Sequence, residues 1–565
     1  MNYFTLKRVF KSIYLILCLL SILGVMDTIL VHGFMFYEPT FIHLIIQVIY
    51  YTLIILYVIW VAGRVVESGW NLRILIHDLL LCALLLGMFF PVRVSGSIVS
   101  FRILFSLFVV FFKKTGISSF FSLIRLNPAR LLLLSFMGVI TVGFVLLMLP
   151  AATVDHHGAD FIDAFFTSTS ATCVTGLIVR DTGTFFSVFG QTVILILIQV
   201  GGLGIMTFST LYAIILGRRL GFKEEEQLRG ILDQTSSVEM YKLIIRIIII
   251  TLFFEFSGAC LLLIKWVPLM GTEKALKSAI FHSVSAFCNA GFSLNSQSFT
   301  AYAGDWYVSG IIIVLIVFGG LGFVVINDIL LNSYGFNPFT LKWSRLNAHT
   351  KLVIITTTFL IVFGTIFVFF FEFDHAMLGL STVDKLLAAL FQSVTFRTAG
   401  FNTLDIASIR DVTLFIGILL MFIGASPSST GGGIKTTTFA VLLLAVRSLL
   451  KSRDRVELFG RTVPHQTVYK SIAIVLFSFT FLTVFTILLL ITQTGEFIDI
   501  LFETTSALGT VGLSTGITWQ LDGVGKILII ILMYVGRVGP LTVALALGEV
   551  RKVNVEFPTT RISVG

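Results

Sequence analysis

The hydrophobic positions of this chain come in runs about as long as a bilayer is thick. Leu15 to Leu30 carries Asp27 as its only charge, and Phe41 to Gly63 has no Asp, Glu, Lys or Arg. Three spans are predicted at about 12–33, 41–63 and 74–92, with a weaker one at 99–113. From residue 126 the pattern changes. An apolar helix, a short segment running from Phe to Gly, and a second apolar helix bearing glycines recur four times.

The short segments read FTSTSATCVTG (Phe166–Gly176), FHSVSAFCNAG (Phe281–Gly291), FQSVTFRTAG (Phe391–Gly400) and FETTSALGTVG (Phe502–Gly512). Their final glycines are 115, 109 and 112 residues apart. A fixed long period marks duplicated structural units. Each unit is predicted to be a helix, a re-entrant half-helix running into a loop, and a second helix. Non-helical backbone at membrane depth is tolerated only where it is buried in protein or lines a wet cavity. Glycine allows backbone conformations that aim carbonyl oxygens along one line, and a ring of carbonyls can replace the water around an alkali cation. Four such units around one axis therefore predict a cation pore. The second helices carry QVGGLGIMTF (Gln199–Phe208), VFGGLGFVV (Val317–Val325), FIGASPSSTGGGIKTTT (Phe422–Thr438) and YVGRVGPLT (Tyr534–Thr542).

Composition and charge agree with a membrane protein. Of 565 residues, 56% are hydrophobic and 12% charged. The net charge of +9 is spread over short basic clusters between apolar runs, such as Lys7, Arg8 and Lys11, or Arg447, Lys451, Arg453, Arg455 and Arg461. Alternate loops are acidic, as at Asp155, Asp160 and Asp163. This positive-inside distribution places both termini in the cytoplasm and argues against a nucleic-acid partner. The first apolar run has no convincing cleavage site and reads as a retained span. Asp27, Asp78 and Arg102 fall in or near apolar runs, where pairing is expected. The basic residues of the first 125 lack the every-third spacing of a voltage-sensing helix, so a structural or regulatory bundle is expected there. Cys173 and Cys288 sit three residues before repeat glycines but have no His or carboxylate at ligand spacing, which points to packing.

The four Phe-to-Gly segments, the glycine-bearing second helices, SSTGGGIKT (Ser428–Thr436) and the arginine of YVGRVGP together resemble the Trk/Ktr/HKT superfamily of potassium uptake proteins. The likeness is closest to the prokaryotic Trk and Ktr membrane subunits and covers about 126–550. It implies an all-α polytopic membrane protein with four pseudo-repeats around one pore, at 126–230, 231–340, 341–462 and 463–565; it says little about residues 1–125, whose apolar runs predict an extra helical bundle ahead of the repeats. It implies potassium uptake across a prokaryotic plasma membrane, with no enzymatic step and no cofactor. Gly176, Gly291, Gly400 and Gly512 match the family's filter glycines. Carbonyls of Val174, Thr175, Asn289, Ala290, Thr398, Ala399, Thr510 and Val511 would complete the filter. Serine at the first position accompanies sodium preference in some plant members, so four glycines favour potassium. The loop holding Ser426, Ser428, Ser429, Thr430, Gly431, Gly432, Gly433 and Lys435 matches the family's intramembrane gate, and Arg537 its conserved arginine. The resemblance also implies a homodimer seated on a cytosolic ring of nucleotide-binding (RCK/KTN-type) regulatory subunits.

The residues bear on the alternatives as well. Three successive glycines beside Ser, Ser and Thr cannot form a stable helix interior, so the loop is expected to interrupt the third unit's second helix. Ile434 separates the glycines from Lys435, which breaks a phosphate-binding Gly-Lys-Ser/Thr order and argues against an ATP-driven pump. The embedded carboxylates Asp27, Glu255 and Asp328 lack the paired partner an intramembrane enzyme requires. A sodium-permeant variant of the same architecture stays open. Arg397, three residues before Gly400, needs a carboxylate neighbour. Glu503 is the first candidate, Asp405 the second.

Overall fold

The computed structural model describes residues 128–215, 237–332 and 343–547, with scattered positions between 16 and 57. It divides into two compact units, Met1–Leu126 with Leu149–Gly158, and Asn127–Met148 with Ala159–Gly565. In the first unit the Tyr50 hydroxyl donates to the Asp27 carboxylate at 2.8 Å, which gives this embedded acid a neutral partner. The expected spans at 74–92 and 99–113, with Asp78 and Arg102, lie outside the described residues, as does most of 12–33 and 41–63.

The second unit is helical, and its elements follow the grammar of the sequence. A long helix, a short helix and a second long helix appear as α1 (Pro128–Leu147), α2 (Phe161–Thr172) and α3 (Val188–Ile215). They recur as α4 (Ser237–Met270), α5 (Thr272–Phe287) and the broken pair α6 (Trp306–Leu321) and α7 (Phe323–Asn332). Next come α8 (Ala348–Glu372), α9 (Thr382–Thr395), α10 (Asp411–Phe422) and α11 (Thr436–Leu450). A two-stranded hairpin, β1 (Val456–Leu458) with β2 (Arg461–Val463), leads to the last set. That set is α12 (His465–Thr492), α13 (Phe497–Gly509), α14 (Gly523–Val538) and α15 (Pro540–Leu547).

Stretches of α4, α8 and α12 are long and apolar enough to cross a bilayer, yet only 39%, 33% and 22% of their most apolar windows are buried in the protein. Their remaining apolar faces are therefore suited to lipid contact. The short helices are different. Each has an acid in its first turn (Asp163, Glu273, Asp384, Asp499), where it complements the helix dipole. Their C-terminal halves are rich in buried hydroxyls.

Packing runs around a closed circuit. α3 lies against α5, α6 against α9, α10 against α13, and α14 against α2. At this last contact, Asp163 of α2 is bound at once by Lys526 of α14 at 2.6 Å and Arg180 at 2.7 Å.

Three of the four second helices are interrupted, where only the third was expected to be. α6 and α7 meet at 96° and α14 and α15 at 93°. The corners are Gly322 (φ +93°) and Gly539 (φ +97°), a region closed to most L side chains. Pro540 then starts α15, where its missing N–H costs nothing. The inner arm α7 is tied down by Asp328. Its carboxylate accepts from the Asn347 backbone N–H (3.0 Å), the Asn347 amide (2.8 Å) and the Thr350 hydroxyl (2.6 Å) at the start of α8. This embedded acid thus acts as a helix cap.

Candidate permeation site

The short helices hold their loops through hydroxyls at two repeating positions. At the first, Ser168 donates to Ile140 O (2.7 Å), Ser283 to Glu255 O (2.6 Å) and Ser393 to Ile361 O (2.7 Å), each on the preceding long helix. Thr504 instead pairs with the Thr486 hydroxyl at 3.0 Å. At the second position, Ser170 donates to Leu177 O (2.7 Å), Ser285 to Phe292 O (2.8 Å) and Thr395 to Phe401 O (2.5 Å), one residue past each loop glycine. Ser506 accepts from Gly512 N–H at 3.1 Å. These hydroxyls are scaffold: they are the buried groups that pin irregular backbone.

Three glycines that make this contact possible were not singled out in the sequence. Gly143, Gly258 and Gly364 each lie three residues beyond the carbonyl that Ser168, Ser283 or Ser393 binds. A Cβ at Gly258 would stand 2.5 Å from the Ser283 Oγ and 2.7 Å from the Leu315 side chain. Gly258→Ala is therefore expected to destabilise the protein by about 1–3 kcal/mol through overpacking. Gly310→Ala, with nothing within 4 Å of the new methyl, serves as control. It should be neutral or stabilising by up to about 1 kcal/mol from helix propensity. Thermal unfolding of the two purified variants checks the contrast. Equal midpoints would refute it.

The four loops share one backbone signature. Val174, Asn289, Thr398 and Thr510 have φ of +56°, +58°, +69° and +51°, and Gly176, Gly291, Gly400 and Gly512, two residues on, have +96°, +71°, +79° and +91°. Left-handed φ is a true outlier for β-branched residues, and three of the first four are β-branched. Strain placed at one register in all four loops shows that the surroundings dictate it. The glycines also touch in order. A Cβ on Gly176 would come within 3.0 Å of Ala290 O. One on Gly291 would be 2.7 Å from Gly400 Cα, and one on Gly400 would be 2.6 Å from Val511 O. One on Gly512 would be 2.9 Å from Gly176 Cα, which closes the ring. The twelve residues singled out in these loops are thus brought to one place, and all but Gly291 and Gly512, which are half-buried, are buried.

The second helices press on the ring through another glycine register. A Cβ at Gly201, Gly319 or Gly536 would strike the carbonyl of Thr172, Phe287 or Leu508, near the end of the same unit's short helix. Arg537 follows Gly536, at the place Gly202 and Gly320 hold in the first two units.

The loop from Ile423 to Lys435 lies directly against the ring residues. Gly431 abuts the Thr398 hydroxyl and Gly432 the Thr510 hydroxyl, close enough that neither position admits a side chain. Neither hydroxyl has a protein hydrogen-bond partner, nor has that of Thr175. The Arg537 guanidinium, 2% exposed, donates to Thr430 O in the loop and to Gly201 O of α3. Lys435 Nζ donates to Gly431 O at 2.7 Å, Ser429 Oγ to Ser426 O at 2.7 Å, and Thr436 Oγ1 to Ser426 Oγ at 3.0 Å. Ser428 takes a left-handed φ of +61°.

The expected Arg397–Glu503 pair is not formed. The Arg397 guanidinium donates to Gly424 O at 3.4 Å, and its Nε has no partner. Glu503 accepts from the Thr518 hydroxyl. Asp405, the second candidate, caps a short 3-10 turn by accepting from Ala407 N–H at 3.2 Å. The physical reason is the company Arg397 keeps. It lines a small cavity with Val317 and Gly320 at the end of α6, Val394 at the end of α9, and Ala425 just past α10. Three helix C-termini, each with partial negative charge, converge there and favour the cation without a carboxylate.

A helical membrane unit with a closed circuit of short helices and a ring of glycine loops is the architecture of a multi-pass transport protein. The model of the TrkH family, described as a cation transport protein, matches residues 139–551. The chain is 41% identical over 446 residues to Ktr system potassium uptake protein B of Bacillus subtilis, covering 78% of this chain and 98% of the relative. It is 40% identical to the protein of the same name from Vibrio alginolyticus, covering 77% and 94%. It is 35% identical to the potassium/sodium uptake protein NtpJ of Enterococcus hirae, covering 78% and 98%. Among solved structures, the potassium transporter TrkH from Vibrio parahaemolyticus superposes with a TM-score of 0.61 at 19% identity, over 89% of this chain and 97% of that one. The chain belongs to the TrkH family of cation transport proteins, as the Trk/Ktr resemblance of its motifs implied.

Proposed function

We propose that this chain carries potassium into the cell through a pore whose selective stretch is the ring of four glycine loops. The observation that carries the reading is the closed contact order Gly176, Gly291, Gly400, Gly512 and back to Gly176, with the same left-handed backbone in every loop. Alternating left-handed positions turn successive carbonyls of Val174–Thr175, Asn289–Ala290, Thr398–Ala399 and Thr510–Val511 toward a common axis. Such carbonyls replace a cation's hydration shell. The unit boundaries at 126–230, 231–340, 341–462 and 463–565 belong to this reading. So do four pseudo-repeats around the pore, an extra bundle at 1–125, and termini on the cytoplasmic side.

Below the ring the 426–436 loop obstructs the path, and Arg537 sets a positive charge beside it. Two relatives are named as potassium uptake proteins of a Ktr system, which supports a partner; a homodimer on a cytosolic nucleotide-binding regulatory ring is the assembly that the motif resemblance implies. An ion entering an inside-negative cell gains about 2.3 kcal/mol per 100 mV, so the chain needs no chemical step of its own. Uptake by the purified protein in vesicles, with potassium, rubidium, sodium and lithium compared, tests the reading. Potassium and rubidium should pass well ahead of sodium and lithium. Equal rates for all four would sink it. The similarity to a potassium/sodium uptake protein favours one second reading, a pore that also passes sodium. Sodium flux that competes with potassium would select it.

A further inference from the structure

The loop that lies under the glycine ring is not held by its own unit alone. Three backbone hydrogen bonds tie it to the corner between α6 and α7 in the second unit. A continuous helix would use the carbonyls of Gly319 and Gly320 for the amides four residues on. The 96° bend at Gly322 frees those carbonyls and orphans the first amides of α7. Buried backbone groups must find partners, and the loop supplies them. Ser426 N–H donates to Gly320 O at 3.1 Å, and Thr430 N–H to Gly319 O at 3.3 Å. In the other direction, Phe323 N–H, the first amide of α7, donates to Ser428 O at 2.8 Å. The Thr430 hydroxyl shares its one proton between Gly319 O at 3.1 Å and, on the last residue of α5, Phe287 O at 3.2 Å. Gly322 itself faces Pro427 O so closely that a Cβ would strike it.

We propose that the corner at Gly319–Phe323 is the latch of the intramembrane loop. The broken helix of the second unit and the loop of the third satisfy each other's orphaned backbone groups, and the loop leaves the pathway when this corner lets go. Thr430 is the positioning residue. Its amide and hydroxyl hold the corner, while its carbonyl accepts from Arg537 on the opposite side. α7 is the handle. It runs from the latch to Asp328, whose carboxylate is fastened to Asn347 and Thr350 at the start of α8. A displacement of the α7–α8 junction therefore reaches the loop through rigid helix and paired backbone. The inference rests on the 426–436 loop being a gate.

The test uses the full chain in vesicles, with Thr430→Val, Thr430→Ser, Asp328→Asn and a deletion of Gly431–Gly433 side by side. Thr430→Val keeps the shape and removes the hydroxyl bonds. It should raise potassium flux about fivefold, the equivalent of one hydrogen bond, with the potassium-to-sodium ratio unchanged. Thr430→Ser restores the donor and should return to the parent rate. Asp328→Asn weakens the handle and should also raise flux. Hydrogen–deuterium exchange gives a readout independent of transport. The amide of Phe323, on a different element from the substitution, should exchange faster in Thr430→Val than in the parent. If the deletion raises flux while Thr430→Val changes neither flux nor exchange at 319–326, the gate stands and the latch is wrong. If the deletion also leaves flux unchanged, the gate fails and takes the latch with it.

Discussion

Gly176→Ser should lower the potassium-to-sodium flux ratio about tenfold or more, a loss of about 1.4 kcal/mol of discrimination. Gly176 has φ +96°, where an L side chain is strained, and its missing Cβ lies within 3.0 Å of Ala290 O in the neighbouring loop. A serine must therefore displace the second loop, relax its own φ, or do both. Either movement turns at least one carbonyl off the axis. Carbonyls preset at the spacing of a large cation lose their preference when that spacing loosens, and a hydroxyl added at the site suits a smaller ion. The measurement is competitive uptake in vesicles with both ions present. Because the glycines touch in sequence, substitutions at Gly291, Gly400 and Gly512 should act in the same direction. An unchanged ratio in Gly176→Ser, with protein of normal stability, removes Gly176 from the filter.

Deleting Gly431 to Gly433 should raise potassium flux about tenfold or more while sparing selectivity, and Arg537→Ala should do so by a smaller factor. Gly431 abuts the Thr398 hydroxyl, Gly432 that of Thr510, and Gly433 packs on Gly424, which in the proposed reading sets them across the ion path. Arg537 contributes in two ways. It fastens Thr430 O to Gly201 O, and in the proposed reading its buried positive charge stands next to the path of a cation. At 4 Å in surroundings of effective dielectric near 20, that repulsion is about 4 kcal/mol. Flux at fixed potential, with the ion series repeated on each variant, separates rate from preference. If both variants conduct like the parent, the obstruction lies elsewhere.

The local pattern was enough for a good part of this protein. Apolar runs of membrane length and the recurring Phe-to-Gly segments act through neighbours in the chain or through the solvent. They were therefore legible as spans and half-helices. The Gly431–Gly433 run was legible for the same reason, since no tertiary contact makes three glycines a good helix. Contacts between units were a different matter. Gly204 and Gly322 sit in near-identical GGLG strings, yet α3 runs on while the second unit turns by 96°. Among the described residues, the corner at Gly322 has a loop beside it that takes up the backbone groups its break exposes, a partner that no spacing along the chain announces.

Arg397 shows the same limit. Charge pairing read along the chain pointed to Glu503, whereas the fold brings the guanidinium to Gly424 O and to the ends of α6 and α10, which lie far from it in sequence or across a loop. Gly143, Gly258 and Gly364 were invisible because a small residue in an apolar helix has no signature until a hydroxyl from another helix arrives against it. The chain by itself determined which backbone could be irregular. The tertiary structure decided which irregular segments meet, because buried N–H and C=O groups must be paired and their partners come from distant units.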